Sequence, residues 1–187
     1  MSTMTPKGRR QEFVHPELEE LGKTPPQSKA APYIWGVTRL ALGFTFLWAF
    51  VDKLFGFGYA TPSERAWING GSPTTGFLKG VEGPLAGFYN SMAGQAWADW
   101  LFMIGLAGIG IALMAGVAMR IAAASGALLL VFMWGASLPI VNNPFLDDHL
   151  VYAIVLIGLA AASAGYTLGL GRYWNKLSIV QRFPFLK

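Results

Sequence analysis

The sequence contains no cysteine. Disulfides, thiolate-bound metals, iron–sulfur clusters and dithiol redox chemistry are therefore excluded within this chain, because each of them requires cysteine sulfur. Charged residues are also scarce, at 13% of the chain, whereas a soluble domain carries about 25%. The remaining charges are clustered, which leaves long apolar runs without any charge. The composition therefore predicts an integral membrane protein.

Four apolar runs are long enough to cross a bilayer, since about 20 helical residues span its hydrocarbon layer. They predict an all-α fold, an integral membrane four-helix bundle, with spans at about 33–57, 98–119, 121–141 and 149–170. A long outer loop, residues 58–96, follows the first span, and a C-terminal tail occupies residues 173–187. The tail at residues 1–32 is rich in proline and mixed charge, which predicts disorder rather than a signal peptide.

The outer loop carries a helical pattern of its own. Its large apolar side chains recur at spacings of three and four, interrupted near Gly83-Pro84: Phe77, Val81, Leu85, Phe88 and Met92. This stripe predicts one or two short helices that lie against the outer bilayer surface or cap the bundle as a lid, residues 77–92. A simple surface hairpin is the alternative.

The placement of charge predicts the orientation. Eleven basic residues fall on the side of the two tails and the turn between the second and third spans, against three on the other side. By the positive-inside rule, both termini are expected to be cytoplasmic, in a multi-pass protein of the cytoplasmic membrane. A basic patch in this setting indicates anionic lipid head groups rather than nucleic acid.

Two charged positions in the first span are expected to be costly. Only twelve uncharged residues, 40–51, separate Arg39 from Asp52. They amount to about 18 Å of helix at 1.5 Å per residue, whereas the hydrocarbon layer is about 30 Å thick. Arg39 is expected to reach the inner head groups along its long side chain. Asp52 is too short to do so, and we expect it to face the bundle interior with a partner on another helix.

The topology gathers polar residues from four helix ends at one depth on the outer side. Four of these residues are predicted to be catalytic. His149 and Asp148 would transfer protons, and Asp52 and Asp99 would act as supporting charges. A second group is predicted to bind substrate: Lys53, Asn142, Asn143 and Tyr152. The alternatives are structural, because Asp147 or Asp148 can cap the fourth helix, His149 can make an ordinary interfacial hydrogen bond, and Tyr152 can simply pack.

A quinone fits this cluster better than a metal or haem does. Haem ligation by two histidines is excluded, because the other histidine, His15, lies in the tail on the opposite side. No metal site is predicted, since three consecutive residues, 147–149, are not expected to point to one ion. A quinone head group needs hydrogen-bond donors and a proton path, and its tail needs an apolar slot between helices. Quinone is therefore the expected bound carrier or substrate.

The first span, RLALGFTFLWAFVDKLFGFGY at 39–59, resembles the opening helix of the DoxX/DoxD family. The four spans, the long loop after the first span, and the segment NNPFLDDHLVYA at 142–153 are also similar to that family. The similarity covers about residues 33–172. The resemblance implies a quinone-linked membrane oxidoreductase subunit, and its DoxD branch implies electron transfer from thiosulfate to quinone. This chain has no soluble sulfur-binding domain, so a second redox subunit is expected as partner.

Two other classes of function remain open. The chain can be a non-enzymatic membrane anchor or assembly partner of a redox complex, docked through its basic tails. It can also be a small-molecule carrier that uses the same polar cluster as a binding site, although no internal repeat supports this. Besides the lipid bilayer, an oligomeric partner is compatible with the sequence, whereas nucleic acid is not expected.

Overall fold

The computed structural model describes residues 28–187, and within this range the chain is all-helical, without strands. The predicted disorder of the N-terminal tail falls largely on residues outside the described range. Eight α-helices follow one another: α1 (Ala31–Phe55), α2 (Thr75–Lys79), α3 (Ala86–Met92), α4 (Ala96–Ala115), α5 (Met119–Ala136), α6 (Asp148–Ala161), α7 (Gly171–Trp174) and α8 (Ser178–Arg182). Short 3-10 turns occupy Ser63–Arg65, Trp67–Asn69, Ala164–Tyr166 and Pro184–Leu186.

Three helices, α1, α4 and α5, are long and apolar enough to cross a membrane, which indicates a membrane location. The fourth predicted span corresponds to α6, which has 14 residues and is shorter than a full crossing. The boundaries of α1, α4 and α5 lie close to those of the first three predicted spans. The exception is α5, which ends at Ala136, because Pro139 cannot continue a helix and disfavours helical backbone before it.

The core is formed where α1 packs on α4 and α5 packs on α6. Its buried side chains include Leu42 and Phe46 of α1, Leu113 of α4 and Leu156 of α6. Glycine sets the closest approach between α1 and α4. A Cβ at Gly110 would lie 2.8 Å from the Leu47 backbone nitrogen, so a larger residue there would separate the two helices.

The helix α6 ends at Ala161, although the predicted span 149–170 continues to residue 170. Ser163 adopts a left-handed backbone (φ 53°), and the residues that follow form a 3-10 turn and an irregular segment. An unwound backbone leaves carbonyl groups without intrahelical partners, which is expensive wherever water is excluded. The segment therefore requires hydrogen-bond donors from elsewhere in the molecule.

Arg39 supplies those donors, and the expectation that it extends to the inner head groups was wrong. Its side chain is 0% exposed. Nε donates to the Ala164 carbonyl (3.2 Å), and Nη2 donates to those of Leu168 (2.7 Å) and Thr167 (3.4 Å). The remaining two N–H groups, on Nη1, donate to the last turn of α4, at the carbonyls of Leu113 and Met114. All five donors of the guanidinium thus bond to backbone carbonyls at the end of α4 and after α6, where helical hydrogen bonding stops. Among these carbonyls, that of Leu113 also accepts from the Gly116 backbone N–H.

The C-terminal segment folds back beneath the helices at the same end of the molecule. The Arg120 backbone N–H donates to the Lys187 carbonyl (2.8 Å), and its guanidinium donates to the Pro184 carbonyl (3.1 Å). The Trp174 indole N–H donates to the Leu186 carbonyl (2.6 Å), and Val180 is fully buried. The predicted tail at 173–187 is therefore an ordered part of the fold.

Candidate functional site

A large cavity, with a volume of about 580 Å³, lies between α4 and α5 beneath the outer loop. The facing side chains of α4 include Trp97, Leu101 and Phe102. From α5 they include Leu129 and Phe132. Its walls are therefore almost entirely apolar, as expected of a site for a hydrophobic molecule.

Small residues help to make this space. Gly105 of α4 lines the cavity, and a Cβ built on it would meet nothing within 4 Å. The side chain missing at this position therefore leaves volume that the neighbouring helices do not fill. The sequence pattern alone does not reveal the cavity, because a glycine in an apolar helix equally often marks close packing.

Besides the Trp97 indole, three polar side chains line the cavity, and two of them have already committed their hydroxyl protons. Ser125 donates its hydroxyl to the Ile121 carbonyl of its own helix (2.8 Å). Thr74 donates its hydroxyl to the Asp99 carboxylate (2.6 Å). Lys53, near the C-terminal end of α1, makes no hydrogen bond or ion pair within the described residues. The cavity is thus an apolar chamber with a single uncommitted cation from this part of the chain.

The outer helices α2 and α3 close the cavity from one side, and the prediction of short helices broken near Gly83-Pro84 is confirmed. Phe77 and Leu78 of α2 and Phe88 and Met92 of α3 all line the cavity. This arrangement agrees with the predicted lid at residues 77–92. Trp97 at the start of α4 also belongs to the cavity wall.

Two polar anchors hold the lid in place. Asp99 at the start of α4 accepts hydrogen bonds on Oδ1 from the Ser72 hydroxyl (2.9 Å) and from the Thr74 backbone N–H (3.0 Å) and hydroxyl (2.6 Å). Tyr89 of α3 donates its hydroxyl to the Phe132 carbonyl of α5 (2.7 Å), and burial raises the pKa of this phenol. Asp99, a predicted catalytic residue, therefore touches the cavity only through Thr74.

Asp52 is almost completely buried beneath the turn that follows α1. Its Oδ2 accepts a hydrogen bond from the Ala60 backbone N–H (3.0 Å), which holds that turn against the helix. Its Oδ1 is buried without a hydrogen-bond partner among the described residues. The expected partner on another helix is not found within this range, and Asp52 does not line the cavity.

A second polar group forms at the start of α6. Asp147 is the N-cap, and its Oδ1 accepts from the Leu150 backbone N–H (3.0 Å). Its Oδ2 lies 2.7 Å from Nδ1 of His149. Burial works to raise the pKa of Asp147, but the hydrogen bonds from His149 and Leu150 outweigh it and lower the pKa. One carboxylate therefore both caps the helix and positions the imidazole.

Asp148, which the sequence pattern favoured as the proton-handling partner of His149, lies farther from the ring. Its Oδ1 is 3.6 Å from Nδ1, and its side chain is 71% exposed. Asp147 is the closer partner, and in the sequence it was visible only as a possible cap. None of residues 147–149 lines the large cavity.

Ligand atoms of Asp147, Asp148 and His149 lie within 4.8 Å of one another. The expectation that the side chains of three consecutive residues cannot point to one ion was therefore wrong. The arrangement is explained without a metal, because Asp147 is already used by the helix cap and by His149.

The remaining predicted binding residues lie elsewhere. Asn143 accepts hydrogen bonds from the backbone N–H groups of Phe145 (2.9 Å) and Leu146 (3.0 Å), which shapes the turn before α6. Asn142 is exposed, and Tyr152 is 40% exposed. Of the eight predicted site residues, the structure brings Lys53 to the cavity directly and Asp99 through Thr74. No protein family, curated protein or solved structure matches this chain.

Proposed function

We propose that this chain is a four-helix integral protein of the cytoplasmic membrane that binds a quinone-type molecule in the cavity between α4 and α5. In this proposal α6 and the irregular segment after it complete the fourth crossing, and both termini are cytoplasmic. The observation that carries the proposal is the 580 Å³ apolar cavity with Lys53 as the cation on its wall. An isoprenoid tail suits the apolar walls, and a quinone carbonyl suits a charged donor.

The resemblance to the DoxX/DoxD family extends the proposal to a quinone-linked oxidoreductase subunit. Reduction of the quinone consumes two electrons and two protons. Oxidation of two thiosulfate ions to one tetrathionate would supply the two electrons. The chain has no cysteine through which to pass those electrons. The reductant would therefore react directly with the quinone or through a second redox subunit, while this chain binds and orients the quinone.

A non-enzymatic binding subunit is the second candidate, and one observation favours it. Among the described residues, Lys53 is the only ionisable side chain on the cavity wall, and the Asp147–His149 pair does not line it. A site that performed proton-coupled reduction by itself would need a proton path to the quinone. In this alternative the chain anchors or supplies a quinone or similar lipid to another protein.

Ligand binding can be tested by a pair of matched glycine substitutions on α4. Gly105→Phe places a ring in the cavity, whereas Gly108→Phe places one where a Cβ also meets nothing within 4 Å but outside the cavity lining. We expect Gly105→Phe to weaken binding of a short-chain quinone at least tenfold, measured by quenching of tryptophan fluorescence, and Gly108→Phe to leave it unchanged. Equal affinities of the two variants would exclude the cavity as the quinone site.

Turnover separates the two candidate functions. Purified protein that binds the quinone would be given thiosulfate or sulfite, and quinol formation would be followed by absorbance. Quinol formed by the wild type and lost in Gly105→Phe supports the oxidoreductase. Binding without quinol formation, alone and after addition of the solubilised membrane fraction, supports the non-enzymatic subunit. His149→Ala then tests whether the Asp147–His149 pair takes part in turnover.

The topology can be tested independently, because a chain without cysteine accepts single cysteines as unique labels. We expect Glu64→Cys in the outer loop to react with an impermeant maleimide in intact cells. Gln181→Cys in α8 should react only after the membrane is permeabilised. The opposite pattern would reverse the proposed orientation, and labelling of both in intact cells would contradict the proposed fourth crossing by α6 and the segment after it.

A further inference from the structure

The end of the molecule opposite the cavity carries a concentrated positive charge. We call it the basic face, and its five cations are exposed: Arg120, Arg172, Lys176, Arg182 and Lys187. The sequence has no Asp or Glu after residue 148. The carboxylates of the described residues lie at the other ends of α1, α4 and α6 and in the outer loop. No described carboxylate therefore neutralises the basic face.

The basic face is a fixed surface. Arg120 donates hydrogen bonds to the carbonyls of Pro184 and Lys187, and Trp174 donates one to that of Leu186. These bonds connect the C-terminal segment, with α7 and α8, to the start of α5. Val180 of α8 is fully buried, which anchors this helix in the fold. The cations are therefore presented in a defined arrangement, and less ordering entropy is lost when they bind a partner.

Large apolar side chains are interleaved with these cations. Tyr173 is 70% exposed and Phe185 is 60% exposed, and Ile179 is also exposed. The Lys176 ammonium lies 6.0 Å from the centre of the Tyr173 ring. Exposed apolar groups among cations are unfavourable in bulk water but are typical of segments at the boundary between head groups and acyl chains.

A small recess within the basic face offers room for one head group. Its volume is about 80 Å³, and Arg120, Asn175 and Lys187 contribute to its lining, together with Ser163. Such a recess admits a compact anion and surrounds it with donors. A phosphate group fits this description both in charge and in hydrogen-bonding chemistry.

We propose that the basic face binds the anionic phospholipids of the membrane in which the protein sits. Their phosphate groups contact Arg172, Lys176 and the recess, while the exposed aromatic and aliphatic side chains enter the acyl boundary. The proposal rests on the membrane insertion proposed above but is independent of quinone binding. It identifies anionic lipid as a bound partner that holds α7 and α8 against the bilayer surface.

The test compares two lipids on the intact, detergent-purified protein. Native mass spectrometry in an equimolar mixture of phosphatidylglycerol and phosphatidylcholine would measure how much of each stays bound. We expect at least a tenfold preference for phosphatidylglycerol. Arg172→Gln with Lys176→Gln should reduce this preference by at least tenfold, since each cation near an anionic surface contributes about fivefold. Arg120 is left intact in this variant because it holds the C-terminal segment.

The matched control removes two exposed cations from the other end, with Arg65→Gln and Lys79→Gln, and should keep the preference. An equal loss in both double variants would show an effect of net charge alone and overturn the proposal. A wild type without preference would also overturn it. Added salt should reduce the wild-type preference, which tests the electrostatic origin without any substitution.

The N-terminal tail, whose acidic residues are as numerous as its basic ones over residues 1–27, is the competing occupant of the basic face. It contains four glutamates, Glu12, Glu17, Glu19 and Glu20. A preference for phosphatidylglycerol that appears only after deletion of residues 1–27 would assign the face to the tail and overturn the proposal. The result stays distinguishable from a failure of the proposed function, because the same preparations report quinone binding, and resistance to alkaline extraction reports membrane insertion.

Discussion

The helix α1 carries two inward-facing cations that differ in their hydrogen bonding. Arg39 is completely buried, and each of its N–H groups donates to a backbone carbonyl of α4 or of the segment after α6. Lys53, toward the other end of the same helix, lines an apolar cavity and bonds to nothing within the described residues. The two positions look alike in sequence, because each is a charge at the edge of an apolar run.

The difference indicates what each half of α1 contributes. Around Arg39 the polar groups satisfy one another, so the guanidinium holds backbone segments together and has no capacity left for a ligand. Around Lys53 the donor remains available and the walls are apolar, so the capacity is open to a ligand. Substitutions at the Arg39 end should therefore act on stability, and those at the Lys53 end on binding.

The largest effect is expected for Arg39→Met, which keeps the length of the side chain but removes every donor. The carbonyls of Met114, Ala164, Thr167 and Leu168 would lose the donors that Arg39 provides, whereas that of Leu113 keeps the Gly116 backbone N–H. Unsatisfied groups of this kind cost about 1–3 kcal/mol each. Because partial relaxation recovers some of this, we expect a loss of about 3–5 kcal/mol, as for breaking other buried charged networks. The measurement is the unfolding transition in detergent.

Arg172→Met is the control for Arg39→Met, because Arg172 lies at the same end but is exposed. Its stability in detergent should change by no more than about 0.5 kcal/mol. Arg39→Lys should also destabilise the protein, because an ammonium has three donors where the guanidinium has five. Full stability of Arg39→Lys would show that charge, rather than the set of carbonyl bonds, is what matters at this end.

The next largest effect is expected where the irregular segment after α6 meets the end of α4. A Cβ on Gly165 would collide with the Gly116 carbonyl oxygen. This oxygen is a backbone atom and cannot rotate away as a side chain could. Gly165→Ala should therefore cost about 1–3 kcal/mol of stability, in the range of overpacked sites. Gly108→Ala, where a Cβ meets nothing, should leave stability unchanged or raise it slightly.

The contrast between these two glycines also marks what the sequence could predict. Apolar runs located α1, α4 and α5 within a few residues, because burial in lipid or core leaves a local signature. The end of α6 at Ala161 had no such signature. It depends on donors from Arg39, more than a hundred positions earlier in the chain, and on backbone contact between Gly116 and Gly165.

A moderate effect is expected for Asp99→Ala, at the cavity end. The carboxylate accepts three hydrogen bonds from Ser72 and Thr74, so its loss should release the start of α2. We expect local opening to become easier by about 1–2 kcal/mol, which is the net value of a few such bonds. Hydrogen exchange of the amides at Thr75–Lys79 should accelerate roughly 5–30-fold, whereas exchange within α5 should not change.

Glu82→Ala is the control for Asp99→Ala, since Glu82 is an exposed carboxylate in the loop between α2 and α3. If both variants accelerate exchange in α2 equally, Asp99 is not the anchor of the lid. If Asp99→Ala accelerates exchange across the entire chain, the effect is global and the two ends of the molecule are not independent. In either case, the two halves of the molecule would not have the separate roles described above.

The candidate site was less accessible to sequence reasoning than the fold. Helix ends that share one depth were expected to form one cluster, but the side-chain directions divide it: Lys53 faces the cavity, Asp52 lies beneath the turn after α1, and His149 pairs with Asp147. The lid was predictable because its apolar stripe is local. The cavity was not, since it arises from the way α4, α5 and the lid helices meet.

The smallest effect on stability is expected for Lys53→Met. An ammonium that donates to no protein group contributes little to folding and is costly beside apolar walls. Unfolding in detergent should therefore change by less than about 0.5 kcal/mol or shift toward higher stability. Quinone affinity should nevertheless fall about tenfold, the equivalent of one charge-assisted hydrogen bond. A variant that loses stability but keeps its quinone affinity would show that Lys53, like Arg39, belongs to the structural half of α1.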